Sequence, residues 1–543
     1  MQKVGKKIWQ RGDLFIWWTG AGLALSLIMT VALLFGVVLN ASQFFWPGEI
    51  QVVSLKDNSS ILGMQMEREM IPDLGDVAKK TDTYRIQIKR GNRDIYNSDF
   101  IWVDEKDIKS IHLPDEVVAI ERREWGYFFG HIKEVRDGDK VVAHGTTESL
   151  QAIIDKLPQS KTINEQIKRV QKKEIGTINH KMERVRLKLK KLTLADITTG
   201  KEVDALKQEI PRLQAEYKIL EKKLTELRTS QTAQLVLQTI EGKEKLLPLS
   251  QVLDIYNPNQ FSLLDKVVYF MRSIQKFICD DPREANTEGG VFPAIFGTIL
   301  MVLIMSMLAT PVGVLAAFYL REYARQGAMV SIVRIAVNNL AGVPSIVFGI
   351  FGVGFFIYTL GGSIDQLFFP EALPTPTFGT GGILWASLTM ALLTVPVVIV
   401  STEEGLAAVP KGIREASLAL GATKFETTWR VVLPSVMPSV LTGLILAMAR
   451  AAGEVAPLMI TGVVKLAPTL PIDGFWPFIH LERKFMHLGF HIYDVGFQSP
   501  NVDAARPMVF ATTLLLILMV IFLNMAAVYL RNRLRKQLTA SAV

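Results

Sequence analysis

The sequence predicts an α-helical polytopic membrane protein with six transmembrane helices and an α+β extramembrane insert. Three observations lead to this fold class. Of the 543 residues, 49% are hydrophobic. Six apolar runs are each long enough to cross a hydrocarbon layer of about 30 Å, which takes about 20 helical residues. A charged segment at residues 41–290 separates the first run from the second, and its periodicity changes from strand-like to helix-like.

The six apolar runs set the positions of the predicted membrane spans. They lie near residues 14–39, 292–320, 331–359, 381–400, 434–462 and 507–530. The first run is longer than the roughly 7–15 apolar residues of a cleavable signal peptide, so we expect a retained anchor helix. Its ends carry the aromatic residues typical of membrane interfaces: Trp9, Trp17, Trp18, Phe44, Phe45 and Trp46.

Basic residues near the span ends predict the orientation. Lys and Arg cluster at 3–11, 321–334, 411–430 and 531–536, four places that fall on the same side of the membrane. The positive-inside rule makes that side cytoplasmic. We therefore expect a multi-pass protein of the bacterial inner (plasma) membrane, with both termini cytoplasmic and residues 41–290 periplasmic. The net charge of +8 equals the basic excess of residues 161–230 alone, so it does not indicate nucleic-acid binding.

The domain boundaries follow from the change of pattern along the chain. Residues 1–40 form the N-terminus and first span, residues 41–260 an insert, residues 261–290 a periplasmic connection, and residues 291–543 the core with spans two to six. Within the insert, alternating polar and apolar residues predict a β-rich part at 50–150, and strands are expected again at 233–255. Apolar residues stepping by 3 and 4 predict a coiled-coil hairpin at 161–229, with a kink at Pro211.

The insert shows no residue pattern of a catalytic or metal site. Two interpretations of its charged hairpin remain open: a spacer or docking arm, and a ligand-sensing element. Three histidines of the external loop 463–506, His480, His487 and His491, are more typical of surface residues than of a metal site.

The region 415–434 carries the most specific pattern in the chain. Its defining positions are Glu415, Ala416, Ser417, Gly421, Leu433 and Pro434. The spacing resembles the EAA-x3-G-x9-I-x-LP motif of permease subunits of ATP-binding-cassette (ABC) importers, with Ser417 replacing an alanine and Val431 replacing the isoleucine. Small residues let a short helix approach another surface, and Gly421 suits a helix end that needs positive φ. The resemblance implies a type I ABC importer permease whose coupling loop, residues 403–434, docks on an ATPase partner.

The chain has no nucleotide-binding motif of its own. No G-x-x-x-x-G-K-[ST] sequence occurs, and residues 421–424 are only a fragment of it. The permease resemblance therefore implies that ATP is bound and hydrolysed by a partner chain, and that this chain is not an enzyme and needs no cofactor.

Arg450 and Glu454 form the second informative pair, because ionisable residues inside a bilayer are costly. At i and i+4 the two side chains would share one helix face. Two interpretations remain open: a self-satisfied pair that seals the bundle, or an Arg450 that offers donors to an oxyanion while Glu454 positions it. Counted from Pro434, Arg450 lies roughly 24 Å along the helix, past mid-membrane, which favours the second. Asn338 and Ser345 are further pathway candidates, or interhelical hydrogen-bonding residues.

The surroundings of these residues narrow the resemblance. Residues 446–458 (LAMARAAGEVAPL) are similar to the AR-x-x-GE-x-APL stretch of the A-type permease of the phosphate-specific ABC importer, with Val455 where threonine is common. Residues 338–349 (NNLAGVPSIVFG) resemble the N-x-x-x-VPSI-x-x-G stretch of both permeases in that system, and residues 486–501 resemble the loop before the last span. The resemblance covers residues 277–543 and the first span, and residues 41–260 lie outside it.

The sequence hypothesis is a transmembrane permease subunit that forms half of the pathway of an ATP-driven importer for inorganic phosphate. The resemblance implies a dimer of ATP-binding subunits, a sister permease in a heterodimer and a periplasmic phosphate-binding protein as partners, within the lipid bilayer. Two alternatives remain: an importer of another oxyanion such as sulfate or molybdate, and a membrane-anchored sensor that uses the insert.

Overall fold

The computed structural model of the chain describes residues 13–71, 84–499 and 502–540. The basic residues Lys3, Lys6, Lys7 and Arg11, Trp9, and the end of the 486–501 stretch therefore lie outside the described residues. The first helix, α1, is Asp13–Phe45. It is apolar on all sides, and Trp17 and Trp18 at its start are exposed. It extends past the predicted end at residue 39.

Two antiparallel sheets follow α1. The first has the strand order β4-β3-β2-β1-β5 and consists of β1 (Ile50–Leu55), β2 (Ser60–Met70), β3 (Tyr84–Lys89), β4 (Phe100–Asp104) and β5 (Ile108–His112). The second has the order β10-β9-β7-β6-β11, with β8 paired to β7, and consists of β6 (Val118–Arg122), β7 (Tyr127–Asp137), β8 (Lys140–His144), β9 (Ala233–Gln238), β10 (Glu244–Pro248) and β11 (Val252–Tyr256). In the second sheet both faces are covered at β6, whose residues are all buried: Val118 and Ile120 lie in one core cluster and Ala119 lies in another.

A long helical excursion connects β8 to β9. It comprises α2 (Thr146–Arg169), a π-helical turn at Val170–Ile175, α3 (Gly176–Leu194) and α4 (Lys201–Thr229). The helices α3 and α4 pack through the buried side chains of Ile178, Val185, Leu206 and Leu213. The helix α2 begins at Thr146, well before the predicted residue 161. Its early turns are held because Ile153 and Leu157 are buried in the core of the second sheet. The helix α4 continues through Pro211 without a break.

The connection predicted at residues 261–290 contains a helix, α5 (Leu263–Cys279), which the sequence analysis did not anticipate. Ser262 and Asp265 start it with a capping box, in which each side chain satisfies a backbone N–H of the other residue. The rings of Phe270 and Phe277 pack edge-on against Phe45 at the end of α1.

The remaining helices form the membrane-spanning core. They are α6 (Phe292–Tyr323), α7 (Ala328–Leu340), α8 (Ser345–Phe368), α9 (Ile383–Ala408), α10 (Lys411–Ala419), α11 (Lys424–Gly453), α12 (Ala456–Thr461), α13 (Leu488–Phe497) and α14 (Val502–Ala540). Within the described residues, six helices are long and apolar enough to cross a membrane: α1, α6, α8, α9, α11 and α14. The helix α9 is the most buried of these six helices and packs against α6 and α11. The helix α14 packs against both α11 and α1.

Two predicted spans are wrong in position. The run at 331–359 is not one helix, because the backbone breaks at residues 341–344 and α8 starts after Pro344, whose preceding residue is biased away from helical geometry. The run at 434–462 starts earlier, at Lys424, and stops at Gly453. The early start follows from a capping box formed by Thr423 and Glu426.

The insert and the 411–434 region lie at opposite ends of the helical core. At one end, the first residues of α9 are hydrogen-bonded to the loop around Leu481 and Arg483. At the other end, about 39 Å along the axis of α9, the chain enters α10. The insert joins the first end, since α1 and α6 meet α5 there.

Candidate functional site

The helix α10 contains Glu415, Ala416 and Ser417, and Gly421 follows its end. The backbone of Gly421 has a φ of +87°, a conformation that is costly for residues with a Cβ atom. Its N–H donates to the carbonyl of Leu418 at 3.0 Å, so the glycine satisfies a carbonyl at the helix end. Glu415 and Ala416 are exposed, and Ser417 is half-buried.

Arg414 fixes α10 to the core. Its guanidinium pairs with Glu322 at the end of α6, with 2.9 Å between Nη2 and Oε1, and it donates to the carbonyls of Leu406 and Val409. Ser417 adds a second attachment, because its hydroxyl lies 2.9 Å from that of Thr427 in α11. The short helix is therefore held at both ends by the spans that flank it.

Part of the outer surface of this region is apolar and is left exposed by the described residues. Five large apolar side chains are exposed on and beside α10: Ile413, Leu418, Leu420, Phe425 and Trp429. Leu420 is 90% exposed, and the rings of Phe425 and Trp429 are stacked at 6.2 Å. Exposed apolar patches of this kind are typical of protein interaction sites. We call these five residues the α10 patch.

Leu433 and Pro434 do not mark the start of the span as predicted. Both are half-buried inside α11. A π-helical stretch, Thr427–Val432, precedes them. Its shifted hydrogen-bond pattern is the kind of local adjustment that accommodates a proline within a membrane helix.

The structure pairs Arg450 with Glu454 at the C-terminal end of α11. Arg450 lies in the last turn of α11, whereas Glu454 follows the helix with extended backbone, φ −77° and ψ 139°. Arg450 Nε is 3.6 Å from Glu454 Oε1, so the pair bridges the helix end. The expected i, i+4 pairing is therefore present, and α11 ends directly at the second member of the pair. Arg450 lies about 39 Å from Lys424 along the helix axis, near the end opposite α10.

A second break in the helical backbone, at residues 341–344, lies beside the break after Gly453. The first turns of α8 pack tightly on α12, which follows Glu454: a Cβ atom on Gly349 would lie 2.7 Å from Cα of Pro457. Ser345 is the first residue of α8 and is half-buried. The helix α8 contacts α12, the helix that follows Glu454. Asn338 is exposed near the end of α7, on the other side of the break at 341–344.

The external histidines are buried, so the prediction of surface positions is wrong. His487 is fully buried, and its Nδ1 accepts a hydrogen bond from the N–H of Gly489 at 3.1 Å, which caps α13. Burial lowers its pKa to about 3, and burial likewise lowers the pKa of His491 to about 4. His480 is buried between Asp473 and Glu482.

Beside His491, Asp494 is nearly fully buried and accepts from Lys465 Nζ at 3.1 Å and from Asn286 Nδ2 at 3.3 Å. The sequence contained one indication that these residues share a buried face: residues 487, 491 and 494 follow an i, i+4, i+7 spacing, which places them on the same side of a helix. Among the described residues, no group of three His, Cys, Asp or Glu side chains could hold a metal ion.

Comparison with known proteins identifies relatives of the core. The family model for the binding-protein-dependent transport system inner membrane component matches residues 309–536. The phosphate transport system permease protein PstA of Yersinia pestis is 33% identical over 267 residues, which are 49% of this chain and 80% of that protein. PstA 1 of Mycobacterium tuberculosis (strain CDC 1551 / Oshkosh) is 34% identical over 243 residues, 45% of this chain and 71% of that protein. The Bacillus subtilis (strain 168) protein named Probable ABC transporter permease protein YqgI is 30% identical over 271 residues, 49% of this chain and 86% of that protein.

Solved structures with a similar chain include two ABC transporters. A chain of the MetNI methionine ABC transporter has a TM-score of 0.31 at 17% identity, and the match covers 44% of this chain and 94% of that chain. A chain of a bacterial ABC transporter for alginate has a TM-score of 0.34 at 14% identity, covering 49% of this chain and 93% of that chain.

Proposed function

Because the chain belongs to the family of binding-protein-dependent inner-membrane transport components, as an ABC transporter permease of the PstA type, we propose that it imports inorganic phosphate. The observation that carries this proposal is the Arg450–Glu454 pair at the end of α11. A guanidinium group offers a planar set of donors that suits a tetrahedral oxyanion. The names of the PstA relatives, which are phosphate transport permeases, support phosphate over other oxyanions.

Two features near Arg450 favour an anion. The start of α8 at Ser345 leaves the N–H groups of a first helical turn without helical partners, and such helix ends attract negative charge. The break after Gly453 places Glu454 outside the helix, where its side chain can move away from Arg450 without unwinding α11. In this proposal the anion replaces Glu454 as the partner of Arg450, and Ser345 and Asn338 contact it along the pathway.

The α10 region couples transport to ATP in this proposal. The α10 patch docks in a groove of a separate ATP-binding subunit, with Glu415, Ala416, Ser417 and Gly421 at the contact. Arg414 and Ser417 transmit the movement of that subunit to α6 and α11, because they tie α10 to those spans. Leu433 and Pro434 act within α11 in transmitting that movement, and not at the contact itself.

The remaining partners follow from the same scheme. The chain supplies half of a pathway in the bacterial inner membrane, and a sister permease supplies the other half in a heterodimer. A dimer of ATP-binding subunits lies on the cytoplasmic side, where both termini also lie. A periplasmic phosphate-binding protein delivers the anion to the side of the insert.

Uptake of radiolabelled phosphate by vesicles containing the assembled transporter tests the site. Arg450→Ala should abolish ATP-driven uptake, and Arg450→Lys should retain part of it, because lysine keeps the charge but loses the planar donor set. Excess unlabelled phosphate should compete with the signal, whereas sulfate or molybdate should not. Competition by sulfate or molybdate in place of phosphate would support the oxyanion alternative.

Arg506→Ala is the matched control. Arg506 also pairs with a carboxylate at the insert end, Glu67 at 3.1 Å, but it is exposed, and exposed pairs contribute little. This variant should transport at the normal rate. Wild-type uptake by Arg450→Ala at equal protein levels would refute the assignment of Arg450.

A further inference from the structure

The helix α5 has three distinct sides, and two of them are covered by other described residues. One side carries Phe270 and Phe277, which pack on the end of α1. A second side carries charged residues that pair with the insert: Arg272 with Asp254, and Lys276 with Asp254 and Glu121. The third side is open.

The open side is apolar except for Gln275 near its end. Its apolar residues are Leu263, Leu264, Val267, Val268, Met271 and Ile278, all exposed. At 3.6 residues per turn these six residues fall within an arc of about 140°. We call this set the α5 face. Leu264 is 78% exposed and Val268 is 66% exposed, so the described parts of the insert and the core leave them uncovered.

The contacts of α5 with the membrane spans determine its depth in the bilayer. The helix α1 has 33 residues and is therefore about 50 Å long, whereas the hydrocarbon layer is about 30 Å thick. The end of α1, where Phe45 contacts α5, thus lies at the level of the lipid headgroups. Trp46, which is next to Phe270, is half exposed there, as in an interfacial aromatic belt.

The start of α6 places α5 at the same depth in the bilayer, independently of α1. The end of α5 is hydrogen-bonded directly to the start of α6: the N–H of Val291 donates to the carbonyl of Phe277 at 2.8 Å, and that of Phe292 to Asp280 at 3.3 Å. The helix α5 is therefore attached to the ends of two different membrane spans. Its depth does not depend on the flexible reach of a linker.

We propose that α5 lies in the plane of the membrane surface at the insert end of the core, with the α5 face buried in the lipid. Amphipathic helices at this depth bury their apolar face at the boundary between headgroups and acyl chains. The partner is a lipid surface because α5 is attached to the ends of two membrane spans and its exposed apolar residues therefore lie at the level of the lipid headgroups. The charged side of α5 points to the insert, so the helix supports the insert on the bilayer.

Spin labelling tests this placement in the assembled transporter, reconstituted in nanodiscs of phosphatidylethanolamine and phosphatidylglycerol. The natural cysteine Cys279 is first replaced (Cys279→Ser), and Val268→Cys then carries a nitroxide. The label should collide severalfold more often with oxygen, which concentrates in lipid, than with a water-soluble nickel chelate. Leu264→Cys and Met271→Cys serve as second reporters if the first variant fails to assemble.

Ile219→Cys is the matched control. Ile219 is apolar and 67% exposed on α4, nearly the same as Val268, but it belongs to the insert hairpin. Its label should favour the nickel chelate. Two results would overturn the proposal: labels on the α5 face that favour the nickel chelate as at residue 219, or labels shielded from both reagents, which would show that a protein such as a sister subunit covers α5.

Discussion

Arg450 meets Glu454 at a point where the helical backbone has already ended, and this affects what the pair can do. In a continuous helix the two side chains would be fixed one turn apart. Here the separation of 3.6 Å is longer than a strong charge-assisted hydrogen bond, although the N–H of Glu454 still donates to the carbonyl of Ala451 at 3.4 Å. The pair is therefore loose, and each charge is only partly neutralised by the other.

His491 is a second residue whose environment decides its behaviour. It lies in α13 beside Asp494 and Lys465, and none of the described residues gives either ring nitrogen a hydrogen-bond partner. Burial lowers its pKa to about 4, below the value of about 6.5 in an unfolded chain. The unfolded state therefore binds more protons in acid, and stability is present above about pH 6.5 and is lost as the pH falls towards 4.

His491→Leu should reduce this acid sensitivity, because leucine has a similar volume and no titrating group. Between pH 7.5 and pH 5, the variant should lose about 2 kcal/mol less of its free energy of unfolding than the natural chain. The measurement is thermal unfolding of the purified chain in detergent at both pH values. His112→Leu is the control, since His112 is exposed. An equal pH dependence in the natural chain and His491→Leu would contradict the expected effect of burial.

At the scale of single elements, the apolar runs predicted where helices lie better than where they stop. Each of the six runs overlaps a helix long enough to span a membrane. The breaks at 341–344 and after Gly453 fall inside apolar sequence, so hydropathy alone does not show them. Pro344 is a local signal for the first break. Gly453 and Pro457 are local signals for the second, whereas the tight packing of α12 on Gly349 is a tertiary effect.

The helix α5 could have been found from the sequence. Leu263, Leu264, Val267, Val268 and Met271 repeat at helical spacing after the capping residues Ser262 and Asp265. The segment is too short for a span, and a search for runs of about 20 residues passes over it. The histidines of loop 463–506 were misplaced for a different reason, since their burial depends on contacts with α6 and with Asn286 that are distant in the sequence.

The exposure of the α10 patch leads to a testable prediction about α10. Leu420→Asp should lower co-purification of an ATP-binding subunit by about 5- to 100-fold, since removing a central apolar contact commonly costs about 1–3 kcal/mol of binding free energy. ATP-driven uptake should fall with it. The thermal stability of the chain should not change, because Leu420 is 90% exposed.

Leu194→Asp is the control for this variant. Leu194 is an exposed leucine at the end of α3, far in sequence from the coupling loop, and its replacement should leave subunit binding unchanged. Equal subunit binding by Leu420→Asp and the natural chain would show that the α10 patch is not the contact.

At the scale of the whole molecule, the insert is attached to the core through α5 and the segment that follows it. Glu121 of β6 is nearly buried and pairs with Lys276 of α5 at 3.0 Å and with Arg283. Burial raises the pKa of Glu121, but the two cations outweigh it and the net pKa is lowered. Burial lowers the pKa of Lys276, and Glu121 with Asp254 reverses this, so its pKa is raised. Both shifts stabilise the charged network at neutral pH.

The helical hairpin provides another attachment, which the sequence could not predict because it joins segments almost 300 residues apart. The ring of His180 in α3 is stacked on Phe475 in the loop before α13, with 4.4 Å between the ring centroids. Lys190 donates a hydrogen bond to the carbonyl of Leu373, in the loop before α9. The hairpin therefore lies along two loops at the insert end of the core.

This contact should be detectable in the membrane. In the Cys279→Ser background, His180→Cys with Phe475→Cys should form an intrachain cross-link on mild oxidation, or with a short bifunctional reagent, because the two side chains are in van der Waals contact. The readout is a shift in electrophoretic mobility that a reductant reverses in the oxidised sample. Ile219→Cys with Phe475→Cys is the control and should give no shift, since Ile219 is exposed on the partner helix α4. No shift for the 180–475 pair, or the same shift for both pairs, would mean that the hairpin does not rest on the outer loops.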